Sequence, residues 1–89
     1  SKAVLVDAAT GAVLAEARRA HEMLVPAPGR AEHRAEEDWW GAVTALVPAL
    51  LAQAGLPGAA VRAVALSAIG PCCLPVDAAG RPLRNAILY

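Results

Sequence analysis

Apolar and polar residues follow one another in short segments along the chain, and the first 20 residues predict a β-hairpin. Two apolar runs, Lys2–Asp7 and Ala12–Ala20, are separated by the turn-forming residues of DAATG. Runs joined by a few residues that end in glycine are typical of a hairpin. The first run is apolar on both faces, which predicts a central strand. The second becomes polar after Ala15, which predicts an edge strand.

The segment AEEDWWGAVTALVPALLAQAGLPG predicts the main helix. Acidic residues 36–38 lie in its first turn, where the helix dipole favours negative charge. Gly55 and Pro57 predict that the helix ends after Ala54, and Pro48 predicts a kink. Apolar residues recur at three- and four-residue steps, which predicts a stripe that faces a core and contains Trp40, Val43, Val47, Leu50 and Ala54.

The remaining segments predict a loop and three more strands. Residues 21–34, HEMLVPAPGRAEHR, have no steady period and predict a long loop. Residues Ala60 to about Ser67 are nearly all apolar, which predicts a buried strand. The last residues predict a short strand, a turn at Asp77–Gly80 and a final apolar run at Ala86–Tyr89. This order predicts an α/β fold in which one main crossover helix packs on a mixed sheet.

The charge balance excludes several classes of partner. Eight basic and eight acidic residues give a net charge of zero, so no basic surface for nucleic acid or for anionic lipid is expected. The apolar runs are shorter than the ~20 residues of a membrane-spanning helix, and no signal peptide is visible. We therefore expect a cytoplasmic protein. With 89 residues, many of them alanine, the chain can bury only a modest core, and we expect it to be part of a larger protein.

The stretch LSAIGPCCLPVD contains the adjacent cysteines Cys72 and Cys73. Neighbouring residues on a strand point to opposite faces, and a disulfide between them would need a distorted peptide, so we expect no metal site and no disulfide. No basic partner for a catalytic thiol is implied, and we assign no catalytic residue. Open α/β sheets bind ligands beyond the carboxyl ends of their strands. The best candidate for a binding site is therefore Ile69–Cys72.

The histidine and tryptophan residues near the helix start carry weaker indications. His33 could titrate near neutral pH, but a lone loop histidine more often makes an ordinary polar contact. Trp39 and Trp40 could stack on a sugar or anchor the helix. Because they are adjacent, they cannot face the same way, and we expect one in the core and the other partly exposed.

Three motifs together carry a resemblance to a known family. SKAVLVDAATGAVLAEA is similar to a pair of strands, PAPGRAEHRAEEDWWGAV to a segment that leads into a Trp-Trp helix, and VRAVALSAIGPCCLPVDAAGRPLRNAILY to a strand, a sugar loop and an Asp-x-x-Gly-x-Pro-Leu-Arg turn. In this order and at these spacings, the chain resembles the N-terminal part of the FGGY family of carbohydrate kinases, closest to xylulokinase-like members.

The resemblance implies that residues 1–89 are part of an actin-like ATPase (ribonuclease H-like) domain. The whole kinase would phosphorylate a hydroxyl of a pentulose or a related sugar or polyol. It would use ATP and Mg²⁺, bound mainly by parts outside this sequence. The implied partners are the sugar substrate and the remainder of the kinase chain, with a homodimer as a further option. The alternatives are a non-catalytic domain of this fold that binds a small molecule or protein, and a small structural protein.

The resemblance also says what the sequence lacks. Family members carry an Asp-x-Gly-Thr phosphate-binding hairpin on a first strand, which lies between the strands expected here at Lys2–Asp7 and Ala60–Ser67. The family's catalytic Asp comes much later in the chain. Neither is present in the sequence, so we expect these 89 residues alone to be inactive.

Carried over residue by residue, the resemblance assigns two small sets of site residues. Where xylulokinases have the sugar-binding run Met-His-Gly, this chain has Gly70, Pro71 and Cys72. The missing histidine donor argues against xylulose itself. Lys2 corresponds to a basic residue at the foot of the phosphate hairpin, so a contact to the transferred phosphate is expected. The candidate substrate-binding residues are therefore Ile69, Gly70, Pro71 and Cys72.

Overall fold

The computed structural model describes residues 1–89, which form two compact units. The first unit comprises residues 1–20 and 42–66, and the second comprises residues 21–41 and 67–89. Helix and strands are both present, as predicted, but the strands form two separate antiparallel sheets and not one mixed sheet. The strands are Lys2–Val6 (β1), Val13–Arg18 (β2), Leu24–Ala27 (β3), Arg30–His33 (β4), Cys72–Cys73 (β5) and Ala86–Leu88 (β6). A π-helical segment, Ala35–Trp40, leads into the α-helix Gly41–Ala54 (α1), and Gly58–Ala60 form a 3₁₀ turn.

The predicted N-terminal hairpin is confirmed. β1 and β2 pair antiparallel, and the carboxylate of Asp7 closes the turn by accepting hydrogen bonds from the backbone N–H groups of Ala9 (2.7 Å) and Thr10 (3.1 Å). Gly11 has a φ of 76°, which glycine adopts without steric cost. β2 is an edge strand, as predicted. β1 pairs only with β2, so the predicted central position of β1 is not observed.

The end of α1 is also confirmed. Gly55 has a φ of 64° and donates its N–H to the carbonyl of Ala52 at 3.2 Å. Leu56 donates its N–H to the carbonyl of Leu51 at 3.0 Å. These two bonds form a Schellman motif, which satisfies carbonyl groups that the helix itself leaves unpaired.

The buried stripe of α1 differs from the predicted one. The buried residues of α1 are Ala42, Leu46 and Leu50, which follow one another at four-residue steps. Of the predicted stripe, Trp40, Val43 and Val47 are exposed, and only Leu50 is buried. The prediction counted from Trp40 with α-helical spacing. Within α1 itself, Val43 and Val47 each follow a buried residue, Ala42 or Leu46, so the buried stripe is offset by one position from the predicted one.

The predicted strand at residues 60–67 is wrong. Ala60 closes the 3₁₀ turn, and residues 61–69 form no strand. Val64 and Leu66 are 79% and 85% exposed. A strand exists only where a neighbouring strand takes up its backbone N–H and C=O groups, and these residues have no such neighbour in this chain. Apolar composition alone therefore overestimated their burial.

The second unit contains a hairpin that the sequence analysis assigned to a loop. β3 and β4 pair antiparallel within residues 21–34, and Ala27 lies opposite Arg30. The two residues between them are Pro28 and Gly29, and Gly29 has a φ of 76°. Proline followed by glycine suits a tight turn, since proline presets its own φ and glycine tolerates a positive one. The predicted long loop is therefore mostly a hairpin.

The C-terminal residues of the second unit fold as predicted. Asp77 accepts hydrogen bonds from the backbone N–H groups of Ala79 and Arg81, both at 2.9 Å, and Gly80 has a φ of 78°. The pKa of Asp77 lies below its usual value, and the hydrogen bond from the backbone N–H of Arg81 is the main cause. β6 follows this turn and lies between β4 and β5, in the strand order β3-β4-β6-β5. The chain has no helix that is both long and apolar enough to cross a membrane.

Candidate substrate-binding site

The candidate substrate-binding residues form an exposed corner that leads into β5, and we call Ile69–Cys72 the corner. All four residues are exposed, including the apolar Ile69 at 43%. The peptide between Gly70 and Pro71 is cis, and the thiol of Cys72 donates to the carbonyl oxygen of Ile69 at 3.6 Å. The corner is therefore open to solvent along its whole length.

The position of the corner depends on its sheet. In β5, Cys72 lies opposite Leu88 and Cys73 lies opposite Ile87 of β6. On the other side of β6, Glu32 of β4 also lies opposite Ile87. β5 has no second neighbour. β6 is therefore the strand that places the corner.

A buried carboxylate joins β4 to the start of β6. Glu32 is 6% exposed and accepts hydrogen bonds from Arg30, from Nη2 of Arg84 (2.7 Å) and from Nδ2 of Asn85 (3.1 Å). The hydrogen bond from Asn85, followed by that from Arg30, lowers the pKa of Glu32. We call these four residues the Glu32 cluster.

The Glu32 cluster was not predicted from the sequence, because residues 21–34 were predicted to be a loop. The signal that could have found it is the pair Pro28-Gly29, flanked by the apolar run LVPA and by the alternating run RAEH. Those two runs are β3 and β4. In a β-hairpin with a two-residue turn at Pro28-Gly29, Glu32 lies on the second strand. A charged side chain that is buried on a strand needs a partner.

A second buried carboxylate fixes the start of the helical segment. Asp38 accepts hydrogen bonds from the backbone N–H of Arg34 (2.8 Å) and from the Arg34 guanidinium, with Nη2 at 2.9 Å from Oδ1. The side-chain hydrogen bond from Arg34 is the main reason that the pKa of Asp38 lies below its usual value. The same contact raises the pKa of Arg34.

The tryptophan and histidine residues around the start of the helical segment differ in burial and in their contacts. Trp39 is half-buried and donates its indole N–H to Nδ1 of His33, whereas Trp40 is 63% exposed. The two tryptophans therefore differ in burial as expected, but the more buried one, Trp39, is half-buried and does not belong to the core. His33 is buried and its ring also contacts the ring of His21 edge to face, with centroids 4.8 Å apart. His33 therefore makes polar and ring contacts of the ordinary kind.

Lys2 belongs to the first unit, on β1. Its Nζ lies 3.0 Å from the carboxylate of Glu16 on β2, which also pairs with Arg18. The hydrogen bond from Lys2 is the main reason that the pKa of Glu16 is lowered. Half of the Lys2 side chain remains exposed. The lysine is thus ion-paired and still accessible from solvent.

Two cavities lie elsewhere in the chain. One of about 370 Å³, in the second unit, is lined by residues 34–37 and 82–85. The other, of about 410 Å³ in the first unit, is lined mainly by residues 5–9 and 60–63. Neither is lined by the corner or by Lys2. The corner is therefore an exposed rim and not, in these 89 residues, an enclosed pocket.

The family resemblance implies ATP and Mg²⁺ as cofactors, and this chain has few side chains that could bind them. No group of three or more His, Cys, Asp or Glu side chains is arranged to hold a metal ion. The one lysine, Lys2, already faces a carboxylate.

Comparisons with known proteins identify the same family that the sequence motifs resemble. The family model for the N-terminal domain of the FGGY family of carbohydrate kinases matches residues 1–89. The chain is similar to Glycerol kinase 2 of Streptomyces avermitilis, with 39% identity over 85 aligned positions. The match covers 89% of this chain and 16% of that relative, so the chain spans less than a fifth of the relative's length. The relative's name does not support a particular likeness to xylulokinases. No solved structure matches the chain. The chain belongs to the FGGY family of carbohydrate kinases.

Proposed function

We propose that this chain is part of the sugar-binding domain of an ATP-dependent kinase that phosphorylates a hydroxyl of a pentulose or of a related sugar or polyol. The domain would have the actin-like ATPase fold. Family membership and the similarity to a glycerol kinase support this proposal. In phosphoryl transfer, the protein mainly positions the reactants and stabilises charge. The contribution of these residues is therefore to hold the acceptor substrate, while ATP and Mg²⁺ are bound mainly by residues outside this chain.

The observation that carries the proposal is the exposure of the corner at the edge of an ordered sheet. Gly70 has no side chain, and nothing within 4 Å would meet a Cβ atom there. A polyol can therefore approach the backbone of Gly70 and Pro71 and form hydrogen bonds with its polar groups. The thiol of Cys72 is a weak donor and is already directed at Ile69. Recognition would then depend on backbone groups, with Ile69 as the apolar wall.

The same proposal gives Lys2 a contact to the transferred phosphate. Lys2 would have to leave Glu16, but an exposed ion pair of this kind is worth at most about 1 kcal/mol. A phosphate group carries more negative charge than one carboxylate and accepts more hydrogen bonds. The exchange of partners is therefore favourable whenever a phosphate comes within reach of Lys2.

A phosphorylation screen of the full-length protein tests the proposal. The protein would be incubated with MgATP and with single acceptors: glycerol, other polyols, pentoses and pentuloses. We expect transfer of phosphate to at least one acceptor, measured as ADP release and confirmed by the mass of the product. If no acceptor is phosphorylated, the chain is better explained as a non-catalytic domain of the same fold that binds a small molecule or protein.

A further inference from the structure

We propose that Glu32 is a positioning residue for the substrate: it fixes β6, and through β6 the corner, in the arrangement that binds the sugar. The inference rests on the proposed function, because it takes the corner to be the sugar-binding element. Glu32 itself would touch neither the sugar nor the phosphate.

The carboxylate of Glu32 is buried and is paired on both oxygens. A buried carboxylate is costly unless its oxygens are paired. Oε1 of Glu32 accepts from Arg30 and from Arg84, and Oε2 accepts from Asn85. Both oxygens are therefore used, and two of the three donors are cationic. Hydrogen bonds to charged partners are the stronger ones.

Two of the three donors to Glu32 lie immediately before β6. Arg84 and Asn85 directly precede β6, and they lie 52 and 53 residues from Glu32. Glu32 also lies opposite Ile87 in the register of β4 and β6. The side-chain bonds and the backbone ladder thus hold the same short strand at its beginning and at its middle.

The corner depends on β6 for its position, because it leads into β5, which pairs with β6. β5 has two residues, and both pair with β6, Cys72 with Leu88 and Cys73 with Ile87. A strand so short has little means of fixing its own position, so it follows its neighbour. Cys72 is both the first residue of β5 and the last residue of the corner. A shift of β6 would therefore move the corner.

The contacts of Glu32 also speak against a direct catalytic role. A general base works best when its pKa lies near the working pH. The hydrogen bonds from Asn85 and Arg30 move the pKa of Glu32 in the opposite direction, to below its usual value. Glu32 is also buried, and both of its carboxylate oxygens already accept hydrogen bonds from residues of this chain. Its chemistry suits a fixed anchor.

Steady-state kinetics of the full-length kinase test this role, with glycerol and xylulose as the acceptor probes. Glu32→Gln keeps the size of the side chain but replaces one acceptor oxygen with an NH₂ group, so at least one donor loses its partner. We expect the KM for the acceptor to rise about tenfold, as for the loss of one charged hydrogen bond. The KM for ATP and kcat should change by less than about twofold. Glu36→Gln is the matched control: Glu36 is an exposed carboxylate outside the Glu32 cluster, and both KM values should stay unchanged.

Asn85→Ala is a second, milder variant, which leaves Glu32 with both arginines. Because the residues act as one unit, Asn85→Ala should raise the same KM, and the double variant should raise it by less than the product of the two single effects. An unchanged acceptor KM in both single variants would overturn the inference. So would a loss of kcat or of thermal stability with both KM values unaltered, since that would indicate a catalytic or a purely structural role. The variant Pro71→Trp tests the corner itself: if it blocks acceptor binding while the Glu32 variants do not change it, the proposed function stands and only this inference fails.

Discussion

Trp39 donates its indole Nε1–H to Nδ1 of His33 over a donor–acceptor distance of 3.1 Å. Because Nδ1 accepts this bond, the proton of the neutral His33 ring is on Nε2. The bond connects the π-helical segment to the last residue of β4. It therefore helps to set the angle at which the helical segment leaves the four-stranded sheet.

This bond predicts different effects for the two adjacent tryptophans. Trp39→Phe keeps a large apolar ring but removes the donor, so we expect a loss of about 1 kcal/mol in the free energy of unfolding. Trp40→Phe is the matched control, since Trp40 is mostly exposed, and should change the same quantity by less than about 0.5 kcal/mol. Urea unfolding of the full-length protein, followed by circular dichroism, measures both. Equal losses in the two variants would contradict the assigned contact.

Asp38 predicts a specific sensitivity to acid. Its folded-state pKa is lowered from 3.8, mainly by the hydrogen bond from the Arg34 side chain. A lowered pKa adds stability that is complete above the ordinary value and is lost as the pH falls through the lower, folded-state value. We therefore expect the thermal midpoint to fall as the pH is lowered past about 4, and Asp38→Asn should make this fall shallower.

At neutral pH, Asp38→Asn should lower the free energy of unfolding by about 2 kcal/mol, since it replaces a buried charged hydrogen bond. Glu37→Gln is the control: Glu37 also pairs with Arg34, at 3.1 Å, but its side chain is 68% exposed. Its replacement should cost less than about 1 kcal/mol. A larger effect at Glu37 than at Asp38 would show that burial does not determine the value of these pairs.

Pro48 predicts a stabilising substitution. α1 continues from Gly41 to Ala54 across Pro48, although proline removes one helix hydrogen bond and crowds the preceding turn. Pro48 is exposed, so its replacement opens no cavity. Pro48→Ala should raise the free energy of unfolding by up to about 3 kcal/mol. Ala49→Gly, in the same helix, should act in the opposite direction; a loss of stability in Pro48→Ala would show that proline fits a bend that the helix requires.

Residues 61–69 predict a local difference in hydrogen exchange. Their backbone is outside any strand, and Val64 and Leu66 are almost fully exposed. Amides without regular hydrogen bonds exchange fast. In the 89-residue chain, the amides of residues 62–69 should therefore exchange much faster than those of residues 45–47 and 49–52 of α1, as measured by mass spectrometry. If the amides of this segment were as well protected as those of α1, the segment would have to form backbone hydrogen bonds that the structure does not show.

The same measurement tests the expectation of a further strand. The family resemblance places the first strand between β1 and residues 60–67, and β1 has one edge without a partner in this chain. We expect amides 62–67 to become protected in the full-length protein. Fast exchange of these amides there as well would contradict that position for the strand.

The sequence was sufficient where a local signal determined the structure. The DAATG turn, the Gly55 end of the helix and the Asp77–Gly80 turn each depend on residues that are close together in the chain. The corner is exposed, and its assignment as the substrate-binding element stays a prediction. The family was recognised from motifs, and the comparisons confirmed it.

Interactions between distant residues were not predictable in the same way. The contact of Glu32 with Arg84 joins residues that are 52 positions apart, and no periodic pattern indicates such a pair. The apolar run at residues 60–67 predicted burial, but burial depends on a neighbouring strand and not on composition alone. The helix α1 carries apolar residues on more than one face, so periodicity alone did not indicate which stripe is buried.

The most direct test of the proposal that the corner borders the sugar is acceptor binding by the variant Pro71→Trp of the full-length protein. Ala78→Trp adds the same bulk to the exposed Asp77–Gly80 turn and serves as the control. Isothermal titration with the best acceptor of the screen, and separately with ATP, would measure both affinities. We predict that Pro71→Trp weakens acceptor binding at least about a hundredfold, as when a bulky ring fills a binding site, while ATP binding stays unchanged. An unaltered acceptor affinity in Pro71→Trp would contradict the account.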